Sequence, residues 1–291
     1  MSVDSIGESL SPTEDNITDS GDADDNSNPE LFGEQSVWPP SNSYPMLSIV
    51  VPAYNEAERI GVTLKRMLAY FDSQCYPYEI LVVSDGSNDG TMDVVTPIAA
   101  RRSQVRLLSY AGNRGKGYAV RYGILRAQGE RILFSDADLA TPIEEIEKLS
   151  DRLDDGYDIA IGSRDVAGSQ LIKRQSLLRE FGGKTFNKIV QALAVPGIHD
   201  TQCGFKLFTR AAALSIFRVA RVDHFAFDVE ALYLAMRVFG YRIAEVPVRW
   251  QHVEGSKVRF ARDAYRMAKT VFRIRFTHYD LPASAAKLHL P

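Results

Sequence analysis

The sequence predicts an α/β domain built on a largely parallel sheet, and three observations carry that reading. From Met46 onward short apolar runs alternate with segments of helical periodicity. Polar clusters recur directly after predicted strands, where open α/β sheets bind ligands. With 45% hydrophobic and 24% charged residues, the composition is that of an ordinary globular chain.

Leu47-Ser48-Ile49-Val50-Val51-Pro52 reads as a first buried strand. Ala57 to Phe71 follows as a helix, with Ile60, Leu64, Leu68 and Phe71 on one face. Glu79 to Val83 is a second strand, closed by the turn Ser84 to Gly90 and followed by a helix from Thr91. Further strands are expected at Val105 to Ser109, Arg131 to Ser135 and Asp158 to Gly162. Helices are expected at Gly117 to Ala127, Pro142 to Leu153, Ser176 to Ala194 and Val258 to Phe276.

Charge divides the chain. The formal net charge is −3, of which the first 45 residues contribute −10, with no Lys or Arg among them, leaving +7 on the rest. Rich in Ser, Asn, Gly and Pro, residues 1–45 lack the apolar surface to offset the entropy of ordering and read as a disordered acidic tail. The expected catalytic domain spans residues 46–276, and residues 277–291 form a short tail. A basic body suits an anionic substrate or an anionic membrane surface, and nucleic acid is not an expected partner.

No apolar run reaches the 18 to 20 residues that cross a bilayer, and the opening Met-Ser-Val-Asp has no basic, then apolar, leader pattern. A cytoplasmic protein, peripheral on the cytoplasmic face of a membrane, is the expectation. Cys75 and Cys203 give neither a disulfide framework nor a metal-ligand spacing and read as reduced, buried thiols.

The candidate chemistry lies in four strings. Pro52-Ala53-Tyr54-Asn55-Glu56, Asp85-Gly86-Ser87 and Asp136-Ala137-Asp138 each follow a predicted strand. Two carboxylates separated by one residue at a strand end can reach Mg²⁺ or Mn²⁺, metals that keep waters and bind substrate phosphates. An isolated Asp-x-Asp is ordinarily a solvated turn; the buried run Arg131 to Phe134 before it favours function. Asn113-Arg114-Gly115-Lys116-Gly117 offers glycines, a cation and a helix start, which suit a diphosphate. Its glycines do not match the Gly-x-Gly-x-x-Gly of dinucleotide folds, which leaves a nicotinamide enzyme as the lesser alternative. Arg164, Lys173, Arg174 and Arg179 form a basic group able to grip a phosphate bidentately. No Ser, His or Cys arrangement suggests a nucleophile triad, and His199, His224 and His252 read as structural or surface residues.

Together Val51 to Glu56, Asp85 to Thr91, Gly115 to Gly117 and Asp136 to Asp138 resemble the inverting nucleotide-sugar transferases of glycosyltransferase family 2, which have a single GT-A domain. Asp200 to Phe208, Phe227 to Glu230 and Glu254 to Lys257 are similar to the dolichyl-phosphate β-glucosyltransferase branch, whose donor is UDP-glucose and whose acceptor is a polyprenyl phosphate. The resemblance implies that Asp85 and the Ala53 to Glu56 turn, with Pro52 and Gly86, hold the uridine. It implies that Lys116, Asp136, Ala137 and Asp138 meet the rest of the donor, with Asp136 and Asp138 at the metal. Arg164, Arg174, Arg179 and Lys206 would hold the acceptor phosphate, and Asp228 and Glu230 would shape the sugar pocket. Asp138, Arg164, Arg179 and Asp228 are thereby the catalytic candidates. Ser84 stands where many relatives have a first Asp, Ala140 stands where mannosyl relatives place a metal-binding Gln, and the N-terminal membrane anchor of the eukaryotic enzymes is expected to be missing. A GDP-mannose-dependent mannosyltransferase, or a transferase to a soluble acceptor, is the alternative within the family. A phosphate acceptor is already ionised at neutral pH, so the reaction calls for positioning and charge stabilisation, with little need of a base.

Overall fold

The computed structural model describes residues 45–173, 190–191, 193–251 and 269–279. The acidic segment, Arg174, Arg179 and most of the expected 176–194 and 258–276 helices therefore lie outside the described residues. The opening elements are β1 (Leu47–Ala53), α1 (Ala57–Phe71), β2 (Tyr78–Asp85), α2 (Thr91–Arg101) and β3 (Val105–Tyr110). Then come α3 (Lys116–Ile124), β4 (Arg131–Ser135), a 3-10 turn at Ile143–Glu145, α4 (Ile146–Asp154), β5 (Ile159–Ser163) and β6 (Gln170–Lys173). The chain continues with β7 (Phe205–Thr209), α5 (Arg210–Val219), α6 (Phe227–Tyr233) running into a π turn at Leu234–Val238, β8 (Ile243–Pro247) and β9 (Arg249–Gln251).

Seven strands form one sheet in the order β3-β2-β1-β4-β7-β5-β8, and β6 pairs with β9 in a separate two-stranded sheet. In the large sheet only β7 runs antiparallel, against both β4 and β5. The mixed, mostly parallel sheet flanked by helices is the one the sequence predicts, with β7, α5, α6, β8 and the small sheet added to the elements it names.

Both faces are covered, which explains why β1 and β2 are nearly continuous apolar runs. Alternating side chains divide between two cores. Ile49, Val51, Ile80 and Val82 pack with Ile60 and Leu64 of α1, Val95 of α2 and Leu149 of α4. Val50, Leu81 and Val83 pack with Val120 of α3, Ile216 of α5 and Val229 of α6. A fully buried aliphatic such as Leu64 contributes about 2 kcal/mol. Thr209 starts α5 by accepting a bond from the Ala212 amide at 3.3 Å, a side-chain N-cap.

One acidic side chain is buried at the far end of the sheet. Glu79 accepts bonds from Ser48 Oγ at 2.6 Å, the Gln128 amide at 2.6 Å and Arg106 at 2.8 Å. Those three donors meet the desolvation cost of the carboxylate and tie β1, β2 and β3 to the turn before β4. Cys203 is buried as expected, and its thiol is pushed up to about 11 by burial. Cys75 corrects the expectation: it is exposed, in the turn between α1 and β2 rather than in either core.

Candidate active site

Between β1 and β4 the strand order reverses direction, and the carboxyl ends of such strands open a crevice. The expected strings converge there. β1 ends in Pro52 and Ala53, β2 in Asp85, and β4 leads directly into Asp136.

The turns after β1 and β2 are laced together. The Asn55 amide donates to Ser87 Oγ at 3.1 Å, Asn55 Oδ1 accepts from the Asn88 amide at 2.9 Å, and the Glu56 amide donates to Thr91 Oγ1 at 2.8 Å. Asn55 sits at φ 54°, a left-handed position that asparagine tolerates. Tyr54 projects from this turn and is exposed, and Glu56 pairs with Arg59 at 2.5 Å. Gly86 has φ 64°, and a Cβ there would overlap the backbone of Gly112.

Asp85 is buried, and its carboxylate accepts from the Arg114 amide at 2.7 Å, the Gly115 amide at 3.0 Å and the Tyr110 hydroxyl at 3.0 Å. It therefore anchors the backbone that delivers Lys116. The Lys116 Nζ lies 2.7 Å from Asp136 Oδ1 and 5.3 Å from the centre of the Phe134 ring. Asp138 Oδ1 accepts from the Ala140 amide at 3.0 Å. Burial, reinforced by Asp136, pushes the Asp138 carboxyl above the usual carboxylate range. Between them Ala137 is buried, its carbonyl accepting from Thr63 Oγ1 at 2.6 Å. Leu139 follows at φ 48°, an uncommon conformation for a branched side chain, of the kind that clusters at functional sites.

A small pocket is lined by Ser135, Asp136, Ala140, Thr141, Gly204 and Trp250. Arg164 stacks over Trp250, its guanidinium carbon 5.4 Å from the ring centre. The same guanidinium makes a fork to Asp200, Nε to Oδ2 at 2.7 Å and Nη2 to Oδ1 at 2.8 Å. Asp200 is fully buried and accepts also from the Arg164 amide at 2.9 Å, while its own amide donates to Glu245 at 2.7 Å. Although burial opposes it, Arg164 holds the Asp200 carboxyl below its ordinary range.

Lys206, Asp228 and Glu230 are all buried. Lys206 is buried, donating to Asp228 Oδ1 and to the Cys203 carbonyl, each at 2.6 Å. An ammonium and a carboxylate neutralise each other there because neither could be buried alone. Glu230 is buried against the backbone, accepting from the Val222 amide at 2.8 Å and from the Tyr279 hydroxyl at 3.0 Å. It clamps the loop before α6 and does not line the crevice pocket. His199 is a surface residue whose ring meets Glu245 at 3.0 Å. Sequence reasoning missed Trp250 and the part played by Asp200; the Asp200 to Phe208 string held the only signal for the second.

Residues 48–217 match the family model for glycosyl transferase family 2. The chain belongs to that family. It is 39% identical over 264 residues to the dolichyl-phosphate beta-glucosyltransferase of Dictyostelium discoideum, covering 84% of this chain and 80% of the relative. It is 39% identical over 256 residues to the Homo sapiens protein of the same name, covering 84% of this chain and 78% of the relative. Family membership and these relatives identify the enzyme class as nucleotide-sugar-dependent hexosyltransferase. The fold is GT-A. Glucosyl-3-phosphoglycerate synthase from Mycobacterium tuberculosis, in complex with Mn²⁺, UDP-glucose and phosphoglyceric acid, superposes with a TM-score of 0.58 at 18% identity, covering 80% of this chain and 79% of that one.

Proposed function

We propose that this glycosyltransferase moves glucose from UDP-glucose onto dolichyl phosphate with inversion, at the crevice between β1 and β4. The observation that carries the reading is that one small pocket joins Asp136 to Trp250, with Asp138 two residues beyond Asp136 and Arg164 stacked on Trp250. The names of the 39%-identical relatives support both sugar and acceptor.

A divalent cation fits the donor set: Asp136 and Asp138 offer hard oxygens, and Asp136 already holds a cationic partner in Lys116. Gly204 leaves the space, since a Cβ there would overlap the Asp136 carboxylate. Mg²⁺ or Mn²⁺ bound by these residues would neutralise charge on the leaving diphosphate. The Ala53 to Glu56 turn, braced by the Asp85 to Thr91 turn, would hold the uridine. Lys116 would stabilise the diphosphate. Arg164, fixed by Asp200 and Trp250, would orient the acceptor phosphate, whose oxygen forms the new bond to the anomeric carbon as the bond to UDP breaks. Arg174 and Arg179 remain candidates for the same phosphate. No proton has to be removed from this acceptor, so the transfer asks for no general base.

The test is a panel of radiolabelled UDP-glucose and GDP-mannose offered with dolichyl phosphate or with soluble phosphate acceptors. Label from UDP-glucose should enter the lipid phase. Preferential use of GDP-mannose, or label confined to the soluble acceptor, would replace this reading.

We also propose that the enzyme meets its lipid at the membrane surface through the basic segment Lys257 to Arg275. Among the described residues no helix is long and apolar enough to cross a membrane. Residues 269–276 are helical; Val271 and Ile274 are buried in the protein core, whereas Phe272 and Phe276 are 58% and 71% exposed, beside exposed Arg273 and Arg275. The apolar stripe is thus split, and the aromatic half faces out with its cations. Each cation at an anionic leaflet contributes on the order of 1 kcal/mol. Cosedimentation with anionic vesicles should weaken with salt and with Phe272→Ser plus Phe276→Ser; indifference to salt and lipid charge would reject the surface.

A further inference from the structure

We propose that Lys116 doubles as a built-in competitor for the divalent cation: without donor, its ammonium occupies Asp136, and the donor diphosphate must draw it away before the cation binds tightly. This inference rests on the cation site at Asp136 and Asp138 proposed above and adds a gate to it.

Three carboxylates, Asp136, Asp138 and Asp228, share this corner with two ammoniums, Lys116 and Lys206. Lys206 is not free to respond, since its side chain is 1% exposed and committed to Asp228 and the Cys203 carbonyl. Lys116 is different: its side chain is 26% exposed and its ion pair is with Asp136, itself 31% exposed.

The backbone beneath Lys116 is fixed. Asp85 holds the Arg114 and Gly115 amides, and Gly115 has φ 106° at a point where a Cβ would overlap the Asp223 carbonyl and His224. Any response is therefore confined to a swing of the lysine stem. Phe134 lies under the ammonium and steadies the inward position by a cation–π contact.

A divalent cation arriving alone meets a carboxylate already paired and a positive charge beside it. A nucleoside diphosphate offers Lys116 a second anionic partner and frees Asp136. Cation and nucleotide should then bind synergistically, and the coupling must be reciprocal.

The experiment measures Mn²⁺ binding to the full chain by the electron paramagnetic resonance of free Mn²⁺, with and without UDP, and needs no turnover. Wild type should bind Mn²⁺ weakly alone and about tenfold more tightly with UDP. Lys116→Met and the polar Lys116→Gln should each bind Mn²⁺ alone about tenfold more tightly than wild type and gain little from UDP, whereas Lys116→Arg, which keeps the cation, should stay weak. Two uncharged replacements are used so that a fold defect in one does not decide the result. If wild type binds Mn²⁺ only with UDP and neither uncharged variant gains affinity, the gate is wrong and the cation site stands. If wild type binds no Mn²⁺ even with UDP, site and gate fall together.

Discussion

Asp138→Ala should lower turnover on the order of a thousandfold while leaving the fold intact. Loss of a carboxylate that helps hold a catalytic cation removes several kcal/mol of transition-state stabilisation, and about 4 kcal/mol is roughly a thousandfold. The structural cost is small. Asp138 Oδ1 accepts one bond, from the Ala140 amide, worth about 1 kcal/mol. Its removal also ends the repulsion from Asp136 that helps raise the Asp138 pKa. Asp138→Asn keeps an acceptor for Ala140, and with it the turn around Leu139, yet should lose nearly as much activity. EDTA should reduce wild type to the same residual rate and leave the variants unaffected. The readouts are initial rates of lipid glucosylation and thermal melting. Activity of either variant within tenfold of wild type would remove Asp138 from the catalytic machinery.

What was legible in the sequence was whatever is local. β4 begins at Arg131 and ends at Ser135, and α1 spans Ala57 to Phe71, as read from apolar runs and helical spacing. The three strand-end clusters were legible for the same reason, because a parallel sheet puts its polar turns where its apolar runs stop. β7 escaped because Lys206 interrupts Phe-Lys-Leu-Phe, and a lysine argues against a strand buried on both faces. Its neutralising partner, Asp228, lies 22 residues on, in a helix that the sequence did not announce. Asp85 illustrates the same limit within the site. Its turn was readable, but its bonds to the Arg114 and Gly115 amides span 29 and 30 residues and exist only once β2 and α3 are adjacent. For Glu230 a motif gives the position and not the direction. The fold turns it to the amides of Arg221 and Val222. Nothing local marks Trp250 either; it matters because β9 carries it beneath Arg164.

The second large effect should fall on Asp200, a positioning residue that acts through Arg164. Asp200→Ala leaves a guanidinium without its fork in a site where Asp200 is fully buried, and breaking such a pair costs about 3 to 5 kcal/mol. For a domain of this size that is a fall in melting temperature of roughly 10 °C. Because the folded-state pKa of Asp200 lies below its ordinary value, the contribution of the pair is complete at neutral pH and is lost as pH falls through the acid range. Stability alone would not distinguish a positioning residue from a structural one, so the second readout is kinetic. Asp200→Asn can still accept from the Arg164 amide but offers one acceptor to a fork built for two, leaving Arg164 charged and misaimed. Its KM for dolichyl phosphate should rise at least tenfold while UDP binding stays near wild type. Arg164→Lys should show the same split, since an ammonium cannot reproduce the planar two-point grip. Were both variants to lose UDP affinity and keep normal acceptor kinetics, Arg164 would belong to the donor's site, and the acceptor phosphate would have to be held elsewhere.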